Sequence, residues 1–300
     1  VGPDQAIWLG TDQGIARYDP AAGAWSHLTT RNGLAGDRVQ ALYLDTARTL
    51  WIGTTTGVSR YIPITQQWQT FTTGDGLGAN FVWSIHQDHE GYLWFGTNSG
   101  GVSRYDPATG AWETFTSNSG LIANFVRGIW EDREGGMWFA TLGGVSLYLG
   151  RSYGTVDVPG LAGAEINALL VDRQQQVWAG TAGSGIWRFD GSVWQQVGQT
   201  LASPTIWSLY EDQAGDIWVG TAGGGVARWH EGRWQTFLQR DGLADDYVFA
   251  IQQGPDGRLW FGTAQGASFY DPSTQQWGIV NEQQGLPSGR VTAIAILANG

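Results

Sequence analysis

Trp83, Arg127 and Trp207 fall at one and the same place in three copies of a repeated segment. Together they offer two flat aromatic faces and a planar cation, groups that stack on sugar or aromatic rings and grip a carboxylate through paired hydrogen bonds. The place is the second residue of an apolar run, and in chain order it holds Gln40, Trp83, Arg127, Asn167, Trp207, Phe249 and Thr292. The residue just before each run also varies: Arg38, Phe81, Phe125, Glu165, Thr205, Tyr247 and Arg290. Neighbouring positions barely change. From the two sets, Arg38, Phe81, Trp83, Phe125, Arg127, Glu165, Trp207, Tyr247, Phe249 and Arg290 are the candidate ligand-contacting residues. The plainer reading is that strand residues such as Trp83 and Trp207 face the adjacent sheet and only pack. Both readings stay open at this point.

Catalytic chemistry finds little support. The chain has no Cys, and all sixteen basic residues are Arg, so thiol, Schiff-base and lysine-base mechanisms are excluded. His27, His86, His89 and His230 avoid the variable positions, and no two share a metal-ligand spacing there. Asp37, Asp245 and Asp246 lie where solvated turn residues are common; a carboxylate pair such as Glu165 with Asp246 stays open. No catalytic residue, metal site or cofactor is expected. Gly-rich stretches, Asn98–Gly101 and Ala222–Gly225, read as tight turns, since phosphate loops need a Lys and a following helix.

The elements that must position these residues repeat at a period near 42. Trp-x-Gly/Ala-Thr recurs at Trp8, Trp51, Trp94, Trp138, Trp178, Trp218 and Trp260. Each copy holds four short runs rich in β-branched and aromatic residues, bounded by Gly, Pro, Asn and Asp, which is the pattern of strands. Four strands per period predict one blade of a β-propeller, and seven periods predict a seven-bladed, all-β ring of four-stranded antiparallel sheets. The chain starts before a second strand and stops after a first strand (Val291 to Leu297), so one blade is expected to take strands from both termini. Closure of this kind removes open sheet edges. The whole chain is then one domain, with that blade built from residues 1–30 and 288–300. The others span about 36–73, 79–117, 123–158, 163–198, 203–239 and 245–281. The turn segments Gly2–Gln5 and Ala298–Gly300 overlap in the repeat, which suggests a unit cut from, or evolved within, a longer repetitive chain.

Of the 18 Trp, thirteen occupy repeated places and read as wedges between blades, with the small residue two places later allowing close packing. Asp45, Asp88, Asp132, Asp172 and Asp212 recur at the end of the first run, and Arg17, Arg60, Arg104, Arg188 and Arg228 recur on the third. An Asp–Arg ion pair inside each blade is the expectation. A formal charge of −11 excludes a nucleic-acid partner, which needs a basic stripe. No run of 18 apolar residues is present, so no membrane insertion by this segment is expected.

The phrase across Gly76–Pro107, Gly-Leu…Asn-Phe-Val-x-x-Ile-x-x-Asp-x-x-Gly-x-x-Trp-Phe-Gly-Thr…Gly-Val-Ser-Arg-Tyr-Asp-Pro, resembles the two-component regulator propeller repeat. The resemblance implies the input region of a bacterial signal-transduction receptor, placed in the periplasm or outside the cell. It implies a small molecule or oligosaccharide as ligand, and another propeller or receptor segment as a partner in the full-length protein. The repeat style is also similar to that of the streptogramin lyase propeller. Three readings follow: a ligand-sensing propeller, a protein-interaction scaffold with an exposed apolar patch, and a lyase or hydrolase with a perturbed acid deep in the channel.

Overall fold

The computed structural model describes residues 6–19, 22–150, 153–156, 161 and 163–296. The turn segments at the two chain ends and Leu297 lie outside the described residues. Seven four-stranded antiparallel sheets are present, each ordered inner, second, third and outer strand. Blade 1 draws its inner strand, Val291–Ile296, from the C-terminal end and its other three from Ile7–Thr11, Gly14–Asp19 and Ala24–Leu28. Ile7 lies opposite Ile296 in this splice. Blades 2 to 7 then follow in order, with inner strands starting at Val39, Val82, Val126, Ile166, Ile206 and Val248.

Each letter of Trp-x-Gly-Thr has a separate mechanical task. The indole is buried between blades: Trp51 packs edge-on to Phe95 of the next blade at 5.7 Å, and Trp218 meets Phe261 at 5.6 Å. At the small residue, a methyl group on Gly180 would stand 2.5 Å from Ile206 Cγ2, the first residue of the following inner strand. The same approach is 2.6 Å from Gly10 to Val39 and 2.9 Å from Gly53 to Val82. Blades therefore touch backbone to β-branched side chain. The Thr hydroxyl donates to the carbonyl that closes the next hairpin, as Thr54 does to Gly57 at 2.8 Å and Thr221 to Gly225 at 2.8 Å.

In the blades that carry both, the recurring Asp and Arg meet through a Trp, and Arg104 and Arg228 form their ion pairs with Glu113 and Asp216 instead. Asp45 Oδ2 accepts the Trp51 indole N–H at 2.8 Å, and Asp88, Asp132, Asp172 and Asp212 take Trp94, Trp138, Trp178 and Trp218 in the same way. The Arg lies over the ring of the same indole: Arg60 stands 5.8 Å from Trp51 and Arg188 5.4 Å from Trp178. The expected ion pair is replaced by a shared aromatic partner. A buried N–H needs an acceptor and a ring face attracts a cation, so one Trp satisfies both. Blade 4 shows the independence of the two contacts, because Leu147 stands at its Arg place while Asp132 still holds Trp138.

Loops of one face are tied to each other. The carbonyl before the inner strand of blades 2 to 7 accepts from the residue after Trp-x-Gly/Ala-Thr, as in Asn98 N–H to Phe81 O and Ala182 N–H to Glu165 O. Buried Ser59, Ser103, Ser146 and Ser268 accept from the backbone N–H of Ala35, Gly78, Ile122 and Ala244, fixing the approach loops from below. The Gly-rich turns spend their N–H groups on the next loop: Gly223 and Gly225 both donate to Asp246 O. They are turns, with φ near +73° at Gly225, a value that suits glycine.

Candidate ligand site in the central channel

One irregularity, repeated in every blade, builds the site. The pairing of inner and second strands slips by one residue just after the first residue of the inner strand. The extra residue is Gln40, Trp83, Arg127, Asn167, Trp207, Phe249 or Thr292. A β-bulge leaves one residue out of the ladder and turns its side chain from the pleat. Here all seven bulged residues, with Arg290, line a single cavity of about 150 Å³. The variable letters meet at the hub; the fixed letters stay in the sheets.

Arg127 sits in the middle of this group. Its guanidinium carbon lies 5.3 Å from the Trp83 ring, 5.3 Å from the Trp207 ring and 5.1 Å from Phe125. Thus Trp83 and Trp207 do not frame an empty slot, as two facing indoles would; the cation bridges them. Arg127 Nη1 donates to Asn167 Oδ1 at 2.5 Å and Nη2 contacts Glu165 Oε1 at 2.8 Å. Asn167 is itself fixed, its amide donating to Ile206 O at 3.0 Å. Burial pulls the guanidinium's pKa below its ordinary value and the Glu165 charge works against that pull. Around this centre Phe81 stacks on Trp83 at 4.6 Å, and Arg290 stands 4.6 Å over Phe249.

The remaining candidates are placed less centrally. Tyr247 is half exposed and its ring covers Gly223. Arg38 is exposed, and its side chain joins none of these contacts. Conversely Gln40, Asn167 and Thr292 belong to the wall, although their plain chemistry kept them out of the candidate set. The open carboxylate pair is not formed: Glu165 engages Arg127, while Asp246 Oδ1 accepts Gln239 N–H at 2.8 Å. Asp37 similarly caps Thr30 at 2.6 Å, and Asp245 accepts from Tyr247 N–H and from Gln265. The histidines lie elsewhere, His27 against Gly285 O and His230 against Asp216. Among the described residues no group of His, Asp and Glu suits a metal ion, and no helix is long and apolar enough to cross a membrane.

The sheets and their axial cavity define a closed seven-bladed β-propeller. Three of its repeats, at residues 76–99, 200–223 and 242–265, match the family described as Two component regulator propeller. No curated protein matches the sequence. Among solved structures, the chain is similar to the extracellular domain of a hybrid two component system from B. thetaiotaomicron, with a TM-score of 0.61 at 21% identity over 91% of this chain and 45% of that one. A second such extracellular domain from the same organism gives 0.60 at 18% identity, over 95% and 51%. Virginiamycin B lyase from Staphylococcus aureus gives 0.69 at 14% identity, over 81% and 84%. At these identities the likeness is one of fold. The chain spans about half the length of the two extracellular domains it matches.

Proposed function

We propose that this propeller is a ligand-sensing module of a bacterial signal-transduction receptor, on the outer side of the membrane, and that it binds a small molecule or part of an oligosaccharide at the hub. The observation that carries the reading is the convergence of all seven bulged residues on one cavity. A purely structural repeat has no reason to vary where its copies meet and stay fixed elsewhere. A rigid ring with variable side chains at its axis is the usual arrangement of a binding site on a scaffold. The repeat family and the extracellular relatives supply the receptor context.

Two observations favour this reading over its rivals. The cavity wall carries no His, Asp or Glu, the groups that transfer protons near neutral pH. Glu211, whose pKa is raised by burial, ends the inner strand of blade 6 and does not line the cavity. Large exposed apolar side chains are spread over the blades, at Ile64, Val193 and Ile279 for example, with no docking surface implied by single residues. A cavity of 150 Å³ has room for about five waters at about 30 Å³ each, so it takes one ring or headgroup, the rest of a ligand lying over the rim. The reading is tested by a thermal-shift screen of oligosaccharides and small metabolites, repeated on Trp207→Ala. Hits that stabilise the parent protein should fail on the variant; hits that stabilise both equally would refute a hub site.

A further inference from the structure

The hub is rich in donors and short of acceptors. Three donor groups of its lining residues, Trp83 Nε1, Trp207 Nε1 and Arg127 Nε, are buried and have no hydrogen-bond partner among the described residues. Two guanidiniums, of Arg127 and Arg290, line the same cavity, and no carboxylate does. The protein as a whole carries a formal charge of −11, so this concentration of positive charge runs against its surroundings. Among the described residues the one anionic group to reach Arg127 is Glu165, from outside the cavity, and its side chain is 38% exposed. It takes a single terminal nitrogen. Asn167 takes the other, and the inner Nε is left over.

We infer that the hub receives the carboxylate end of its ligand, and that Glu165 is a built-in competitor standing on the edge of that place. The inference rests on the hub being the ligand site. A bound carboxylate supplies what the lining lacks, an anionic acceptor for the guanidiniums of Arg127 and Arg290, held with the strength of charge-assisted bonds beside the Trp83 and Trp207 rings that flank Arg127. Glu165 can leave without an unpaired buried charge, because it swings into solvent while the incoming carboxylate takes over Arg127. Arg290 also lines a shallower depression of about 480 Å³ beside Asn281, Glu282 and Ser288, which marks the direction in which the rest of an anionic ligand would run.

The test follows the indole N–H resonances of Trp83 and Trp207 by NMR while acetate, galacturonate or galactose is added. Both anions should shift these resonances saturably and galactose should not. Glu165→Gln should tighten acetate and galacturonate about three- to fivefold, the effect of removing a half-exposed charged competitor. Arg127→Met should abolish the response; should that variant fail to fold, the Glu165→Gln comparison decides alone. Equal binding of galactose and galacturonate, or unchanged or weaker anion binding by Glu165→Gln, overturns the inference. Galactose shifting the resonances while the anions do not sinks the carboxylate assignment and leaves ligand binding at the hub intact. Silence of both resonances toward all three probes overturns the carboxylate assignment as well, and the screen above then judges the site itself.

Discussion

At the residue scale, one Trp in each of four blades, Trp51, Trp94, Trp178 and Trp218, gathers contacts that a charge count assigns to an ion pair. Asp45 accepts from the Trp51 indole and from Thr49 N–H, so Asp45→Ala strands two buried donors. That should cost roughly 2–4 kcal/mol in urea unfolding. Arg60→Met removes a cation from a ring face and should cost no more than about 1 kcal/mol. Coupling in a double-mutant cycle should be strong for Asp45 with Trp51 and near zero for Asp45 with Arg60; the reverse would restore the ion pair. The fixed six-residue step from Asp to Trp, kept in five blades, was the sequence signal for this bond. Opposite charges on two runs drew attention away from it. His86 yields a pH prediction. Packed near Tyr43 and Trp130, it is held neutral by desolvation, its pKa lowered from 6.5 to about 4. The unfolded chain takes up the proton first as pH falls, so stability is full above about 6.5 and drains between there and about 4. His86→Phe should flatten that part of the urea-midpoint profile; an unchanged slope would assign it to other groups.

Strands and their junctions carry the next level. The small residue of Trp-x-Gly-Thr faces the first side chain of the following blade, so Gly180→Ala drives a methyl toward Ile206 Cγ2. A loss of about 1–3 kcal/mol is expected from this overpacking, and the penalty of the methyl should vanish in an Ile206→Ala background. Additive losses would place the strain elsewhere. Element existence, order and the fixed positions were legible because period, turn residues and wedge tryptophans all point one way. The aim of the variable side chains was not legible. A bulge adds one unpaired residue without changing composition, so Trp83 reads equally as packing or as hub wall until the pairing of Val82 and Ser84 with the second strand is seen. Gln40, Asn167 and Thr292 were set aside for the same reason: only their shared bulge, not their chemistry, marks them.

For the whole molecule, closure depends on one strand from the far end of the chain. Removing residues 290–300 strips blade 1 of Val291–Ile296 and exposes an edge on Ile7–Thr11 while uncovering the neighbouring blades. The loss should match or exceed the entire stability of a domain, about 5–15 kcal/mol, and leave an aggregating chain without a cooperative transition. A cooperative, monomeric truncation would deny the splice its role. With the ring shut, the framework tryptophans are locked and those at the hub face the cavity. That division is tested most directly by fluorine NMR of the protein labelled with fluorotryptophan, titrated with whichever compound the screen returns. The account predicts that the Trp83 and Trp207 signals move while those of Trp51, Trp94 and Trp218 stay in place. Movement confined to the wedge tryptophans, with the hub pair unmoved, would contradict it.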